Sequence, residues 1–356
     1  MINQRISGPR MISVNARKTV LVTGAGGSVG SSLASAVLAT DPRLLILLDH
    51  SERNLHEVEM ELVGAPRCTA FVSILGDICD WALLADVFEK YHPDIIYHAA
   101  ACKHVPLMER NPVAAVQNNA VGTSLLARAA CKYEASRLIM ISTDKAVNPR
   151  SVMGASKRVA ELVLLRWSNP KTQMKAVRLG NVLGSQGSVV PLFLQQISRG
   201  GPVTVTHPNV NRLFLTLSEA VELILVVGSL EGDGSIFIPE LGEPVKILSL
   251  ARQLIEAAGF IPEKEIPIVI TGLRPGDKMA EELYLACESV ELSADPRLYR
   301  VKSPQIRPDR FDAEIAELAK NADGRDLVTL LDTLCRIVPE YKPSETLLGL
   351  LNCSTV

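Results

Sequence analysis

Aromatic residues are scarce in this 356-residue chain, at 4% against a hydrophobic share of 47%. A core built almost wholly from aliphatic side chains suits a layered α/β domain, whose parallel strands are buried on both faces. No apolar run reaches the ~18 residues of a membrane span, and residues 1–18 are basic and polar, without the apolar centre of a secretion signal. The chain is therefore expected to be soluble and cytoplasmic, with no membrane span. Excess charge is lacking too: a formal net charge of −2 creates no broad field for nucleic acid or an acidic bilayer. The seven cysteines, Cys68, Cys79, Cys102, Cys131, Cys287, Cys335 and Cys353, are scattered and never form Cys-x-x-Cys. That speaks for reduced thiols rather than disulfides or zinc. The six histidines show no His-Glu-x-x-His pattern, so no metal is expected.

What the chain does have is a repeating strand–helix rhythm. Lys18 to Thr23 is a short apolar strand, followed by Gly24-Ala25-Gly26-Gly27-Ser28-Val29-Gly30 and a helical segment from Ser31 to Thr40. Glycines at 24, 27 and 30 suit a tight turn, close approach of a pyrophosphate, and close packing of helix on strand. The helix start then offers free N–H groups and partial positive charge to phosphates. Leu44 to Leu48 is a second strand ending in Asp49, placed to accept hydrogen bonds from an adenosine ribose, which favours NAD over NADP. Arg53, one helical turn on, keeps NADP as the alternative. Strands at Cys68–Leu75 and Asp94–Tyr97 end in Gly76-Asp77-Ile78 and His98-Ala99-Ala100-Ala101, whose small residues would let a flat cofactor lie against the backbone. The same residues would also serve tight helix packing. The unbroken rhythm predicts a doubly wound parallel (Rossmann) sheet.

The chemistry is expected between Ser142 and Lys157. Arg137 to Ile141 reads as a buried parallel strand, so Ser142, Thr143, Asp144 and Lys145 emerge at its carboxyl end, where open α/β sheets bind ligands. Lys157 follows one turn into the next helix, on the same face as Met153. Asn111-Pro112 opens a helix predicted from Val113 to about Tyr133. From Asn181 the rhythm loosens among Gly184, Gly187, Pro191, Gly200, Gly201, Pro202 and Pro208, as where a substrate-binding subdomain is assembled. The expected division is an arm at 1–17, a nucleotide-binding domain at 18–180 with returning segments from 181–260, a smaller C-terminal subdomain and helical tail at 181–345, and a tail at 346–356. Glu219–Ser229 and Ile247–Ala258 read as amphipathic helices, and Asp312–Ile337 as two further helices without assigned chemistry.

Several segments together carry a resemblance. Val-Thr-Gly-Ala-Gly-Gly-Ser-Val-Gly (22–30), Lys-His-Val-Pro-Leu-Met-Glu (103–109), Ser-Thr-Asp-Lys-Ala-Val-Asn-Pro (142–149), Met-Gly-Ala-Ser-Lys (153–157), Arg-Leu-Gly-Asn-Val-Leu-Gly (178–184) and Gly-Leu-Arg-Pro-Gly-Asp-Lys (272–278) are the most telling. The chain resembles the extended short-chain dehydrogenases/reductases, and within them the CapD-like nucleotide-sugar 4,6-dehydratases acting on UDP-N-acetylglucosamine. One departure stands out: the tyrosine usual four residues before the helix lysine is Met153. That resembles the subgroup expected to retain configuration at C5.

The resemblance implies NAD as cofactor, held by Gly24, Gly27, Ser28, Val29, Gly30, Asp49, Asp77, Ile78, Ala99, Ala100 and Lys157. It implies catalytic roles for Thr143, Asp144, Lys145 and Lys157. Thr143 would hold the C4 oxygen, Asp144 would take the C4 proton and return it to the departing C6 hydroxyl, and a neutral Lys145 would remove the C5 proton. The exchanged assignment of Asp144 and Lys145 stays open. Substrate contacts are expected from Lys103, Asn181, Ser188, Val189, Thr204, Arg212, Arg274 and Asp277; the two arginines are diphosphate candidates, since a guanidinium gives forked, permanent charge. Lys103 is read equally well as a solvated loop lysine, and internal ion pairs are the plain alternative for Arg212, Arg274 and Asp277. A homodimer or higher homo-oligomer is expected, meeting through the helices at 113–133 and 152–167. Two other functions fit parts of the pattern: a UDP-sugar 4-epimerase and a non-catalytic NAD-binding scaffold.

Overall fold

The computed structural model describes residues 14–63, 70–232, 234–303 and 308–352. Most of the expected N-terminal arm, Cys68 at the expected start of the third strand, and Cys353 lie outside the described residues. Six strands, β1 (Thr19–Thr23), β2 (Leu44–Asp49), β3 (Phe71–Leu75), β4 (Ile95–His98), β5 (Arg137–Thr143) and β6 (Gln173–Leu179), run parallel in the order β3-β2-β1-β4-β5-β6. Ser235–Pro239 extends the sheet parallel to β6, and Leu298–Lys302 and Ser289–Leu292 close that edge antiparallel, giving nine strands. This is the doubly wound Rossmann arrangement predicted from the strand–helix rhythm. The chain reverses its direction of travel across the sheet between β1 and β4, and a crevice opens there at the strand ends.

Aliphatic burial explains the layers. The inner strands β1, β2 and β4 are buried on both faces, and two large clusters of buried aliphatic side chains lie one on each side of the sheet. A third, smaller cluster of Phe193, Ile197, Val203, Val205, Val210, Ile247, Ala251, Ile255 and Ile266 gives the segment beyond Asn181 a core of its own. The helix Leu217–Ser229 packs back on the large sheet, beside Leu33 and Val37 of the first helix. No helix among the described residues is long and apolar enough to cross a membrane.

One expectation is corrected. The helix predicted from Val113 to Tyr133 is interrupted: helical turns at Pro112–Val116 and Thr123–Lys132 flank a wider π-helical turn at Gln117–Gly122. The wide turn lets the Asn119 amide reach the backbone of Cys102, accepting from its N–H at 2.8 Å and donating to its carbonyl at 3.0 Å, and also donate to Ser156 Oγ at 3.0 Å. Such turns recur at functional sites. The helix that follows β5 is covered over most of its length. In the helix Val152–Trp167 every residue from Val152 to Leu164 except Leu162 is buried. The cover is the chain's own: helices Pro308–Asp323 and Leu327–Ile337 place Phe311, Leu318, Leu330, Leu331 and Leu334 in one cluster with Val159, Ala160 and Val163.

A buried charge cluster locks this arrangement. Arg178 in β6 donates to both oxygens of Glu161 at 2.9 and 2.8 Å and to both of Glu288 at 2.7 and 2.9 Å. Arg158 adds contacts to the same two carboxylates at 2.9 and 3.1 Å. Removing one partner of such a cluster strands the others in an apolar interior. Arg178→Ala is expected to lower unfolding free energy by roughly 3–5 kcal/mol in urea titrations; a loss under about 1 kcal/mol would show that Arg158 alone satisfies both carboxylates.

Candidate active site

The crevice between β1 and β4 is shaped by the glycine turn. Gly24 has a φ of +67°, and a Cβ there would stand 2.4 Å from Ala100 N, so only glycine permits this approach of the two strand ends. A Cβ on Gly30 would meet the Gly24 carbonyl at 2.0 Å, which ties the helix Ser28–Leu38 tightly to the turn. That helix starts at Gly27 with no side-chain cap, leaving its first N–H groups to a ligand. Asp49 ends β2 facing the turn; its carboxylate accepts from Gly26 N at 2.8 Å and Ser51 N at 2.9 Å. The cleft is lined by Gly24, Leu48, Asp49, His50, Gly76, Asp77, Ile78, Ala100 and Asn118. Ala99 stays on the strand ladder, donating to Thr23 O at 2.9 Å. Arg53 is exposed and pairs with Glu57 at 3.0 Å along its own helix. Ser28 reaches the other side of the site: its hydroxyl accepts from Gln186 N at 3.0 Å. The glycine cradle, uncapped helix start and buried carboxylate at the end of β2 fit a dinucleotide.

The reactive groups gather where β5 ends. Thr143 is its last residue, and Asp144–Ala146 follows as a single tight turn. Thr143 Oγ1 donates to Asp144 Oδ1 at 3.0 Å and accepts from Lys145 N at 3.3 Å. Lys145 Nζ donates to Asp144 Oδ1 at 2.8 Å and Asn181 Oδ1 at 3.0 Å, and Glu281 Oε1 lies 3.7 Å away. Burial disfavours the Lys145 ammonium, but Asp144 and Glu281 outweigh it and hold the group above its ordinary value. This pull works against the neutral amine expected of a C5 base. Asp144 is fully buried, and its Oδ2 has no hydrogen-bond partner.

The neighbouring helix fixes this turn from behind. A Cβ on Gly154 would lie 2.2 Å from the Lys145 carbonyl, so the helix packs directly on the turn's backbone. Met153 is buried one residue before it. Lys157 Nζ donates to Ile141 O at 2.7 Å, and burial lowers its pKa to about 8. Ser142 donates to Glu161 at 2.6 Å, joining the strand end to the buried charge cluster.

Of the expected substrate residues, Asn181 and Arg212 are brought to the group around Lys145. Asn181 faces Lys145, as above. Lys103 is exposed on the loop after β4. Ser188 precedes the helix Val189–Ser198, which has no side-chain cap, and the Ser188 Oγ is buried without a partner. Thr204 is engaged by Gln196, which donates to its hydroxyl at 2.8 Å. Arg212 donates to the carbonyls of Asn211 and Lys278 at 2.7 and 2.9 Å. Arg274 and Asp277 pair with each other at 2.9 Å, with Arg274 half exposed. Two further charged residues, given no role in the sequence, stand beside them. Lys278 donates to Val147 O at 2.7 Å, and Glu281 turns its carboxylate inward among Lys145, Arg212 and Lys278. Lys278 closes the Gly-Leu-Arg-Pro-Gly-Asp-Lys segment itself, and the only signal for Glu281 was closeness to that segment. The close approach of Gly276, where a Cβ would meet Ser151 Cβ at 2.8 Å, seats that segment against the helix start.

This architecture recurs in known proteins. The chain is 44% identical to the capsular polysaccharide biosynthesis protein CapD of Staphylococcus aureus over 316 residues, 88% of this chain and 53% of CapD. It spans about half the length of the first curated relatives it matches. Among solved structures, Pen from Bacillus thuringiensis superposes with a TM-score of 0.74 at 30% identity, covering 83% of this chain and 90% of Pen. DesIV from Streptomyces venezuelae, a dTDP-glucose 4,6-dehydratase solved with NAD and TYD bound, shares the fold at a TM-score of 0.65 and 23% identity over 75% of this chain and 88% of its own. A family model described as "Polysaccharide biosynthesis protein" matches residues 20–303. The chain belongs to this polysaccharide biosynthesis family, the group its sequence motifs resemble.

Proposed function

We propose that this protein removes water from C5 and C6 of UDP-N-acetylglucosamine, with configuration at C5 retained, to supply a 4-keto-6-deoxy sugar nucleotide for cell-surface polysaccharide or glycan synthesis. The observation that carries this reading is the Thr143-Asp144-Lys145 turn beside Met153: a hydroxyl, a carboxylate with a free oxygen and an ammonium within hydrogen-bond reach of one another. Bound NAD would supply a reversible hydride acceptor, returning at C6 what it takes from C4. The glycine turn, Asp49, Asp77, Ile78 and Lys157 are the groups that would hold it.

The remaining work is proton movement by the chain itself. Thr143 holds the C4 oxygen, and the free Asp144 Oδ2 accepts the C4 hydroxyl proton. Met153 offers no alternative, because a thioether is not a base at this pH. Departure of the C6 hydroxyl needs an acid, and Lys145, kept charged by two carboxylates, is suited to give that proton. This keeps Asp144 on the C4 proton but moves the C6 proton to Lys145 and leaves the C5 proton to another group, so it departs from both assignments expected for the pair. The 2.8 Å contact between Asp144 and Lys145 then lets the proton gained from C4 restore the ammonium. Arg212 and Arg274 remain the diphosphate candidates, although in the free protein their guanidiniums are already engaged.

Incubation with UDP-N-acetylglucosamine followed by mass spectrometry is expected to show loss of one water. An unchanged mass with inverted C4 would mean an epimerase, and no reaction a scaffold. Denatured protein is expected to release NAD; mostly NADP would overturn the role of Asp49.

Met153→Leu nearly conserves volume and is expected to keep activity within about tenfold. A thousandfold loss in a folded variant would show that the thioether takes part. Burial places Lys157 at about 8, and its ammonium, the form that would grip the nicotinamide ribose, is present below that value. As pH rises through it, kcat/KM is expected to fall; a flat profile from neutral pH to well above this point would count against that role.

A further inference from the structure

Removal of the C5 proton needs a base, and the groups assigned so far leave that step without one. Met153 has none to offer, Lys145 is held toward its ammonium form by Asp144 and Glu281, and Asp144 is occupied by the C4 proton. One further carboxylate reaches the same place. Glu281 lies in the loop after Lys278, and its side chain is only 2% exposed. Its Oε1 is 3.7 Å from both Lys145 Nζ and Arg212 Nε, and its Oε2 is 3.6 Å from Lys278 Nζ. None of these contacts is a hydrogen bond, and Oε2 is buried without any partner. Two other buried acids, Glu161 and Glu288, use both oxygens in bonds of 2.6 to 2.9 Å, and among the described residues the one that shares the open state of Glu281 is Asp144, at the site itself. A buried carboxylate ringed by cations yet bonded to none has lone pairs held open for something else.

We propose that Glu281 is the base that takes the C5 proton and later returns it. The proposal rests on the dehydratase reading above. Lys145 stands between the two carboxylates, so a sugar lying against its ammonium meets Asp144 on one side and Glu281 on the other. A diphosphate on Arg212 would compete for the guanidinium beside Glu281 and free the carboxylate toward the sugar.

The step balances. With the C4 ketone formed, the C5–H bond breaks toward Glu281, and its electron pair forms the C5–C6 double bond. The C6–O bond breaks, and the hydroxyl leaves as water with a proton from Lys145. When the hydride has returned to C6, the electron pair left at C5 takes back the proton from Glu281. Asp144 passes the C4 proton to Lys145, and the net change is loss of one water. One group that removes and returns the proton on one face preserves configuration at C5.

The test follows C5 directly. Protein with its cofactor is placed in heavy water with the 4-keto-6-deoxy product, and C5 exchange, which requires no hydride movement, is read by proton NMR. Glu281→Gln is expected to lose exchange by ~10²–10⁴-fold while binding UDP within a few-fold of the parent; Glu281→Asp should keep part of the exchange. Exchange in Glu281→Gln within about tenfold of the parent overturns the proposal. So does joint loss of exchange and UDP binding, which would make Glu281 an organiser of Arg212. Should the glutamine variant not fold, Glu281→Asp decides: a lower kcat at unchanged KM supports the role, and a raised KM alone overturns it. A parent protein that releases no water from UDP-N-acetylglucosamine would instead sink the dehydratase reading.

Discussion

A guanidinium that never meets water joins the parts of this site. Arg178 is fully buried, and two carboxylates from distant segments close around it. Burial alone would keep Glu161 protonated, yet Arg178 and Arg158 hold its pKa at about 2. Such a cluster adds little net stability over an apolar core of equal volume, because desolvation offsets the attraction. Its value lies in geometry. β6 supplies the arginine, the helix Val152–Trp167 supplies Glu161, and the segment beyond Glu281 supplies Glu288. Ser142, one residue before Thr143, hangs from the same Glu161. The strand end, the helix bearing Lys157 and the loop bearing Glu281 are therefore set against one another by one cluster.

The glycine turn and the loop beyond Val182 are joined by a second, lighter link. Ser28, in the turn, accepts from Gln186 N in that loop. The bond uses the hydroxyl oxygen as acceptor and leaves its O–H to donate elsewhere, so one side chain can serve the loop and a phosphate at once.

The sequence made the local features legible. Glycines spaced to bring a helix against a strand, Asp49 at the end of five apolar residues, and Thr143-Asp144-Lys145 at another strand end all follow from chain-local rules, and the structure has them there. What stayed hidden depends on tertiary contact. Glu281 carries no pattern of its own; it matters because Gly276 lets its loop press against Ser151. The surroundings of Lys145 were legible only in part: Asp144 beside it is the stronger influence toward the charged form, and Glu281, more than a hundred positions away, adds to it. Likewise the wide turn at Gln117–Gly122 answers to the backbone of Cys102, which helical periodicity does not register. The helices expected to meet another copy were read from their small residues, and small residues serve equally well to receive the chain's own tail.

That tail has a consequence for how the protein is made. Phe311, Leu318, Leu330, Leu331, Leu334 and Leu347 belong to the same buried cluster as Leu21 and Ile46 in the first strands. A ribosome delivers the nucleotide-binding half long before the residues that seal it. During synthesis the apolar face of Val152–Trp167 is exposed while roughly 150 further residues emerge, at about 5–20 per second. Final packing must wait for the tail, and in that interval the nascent chain presents an aliphatic surface that chaperones bind and that invites self-association at high expression.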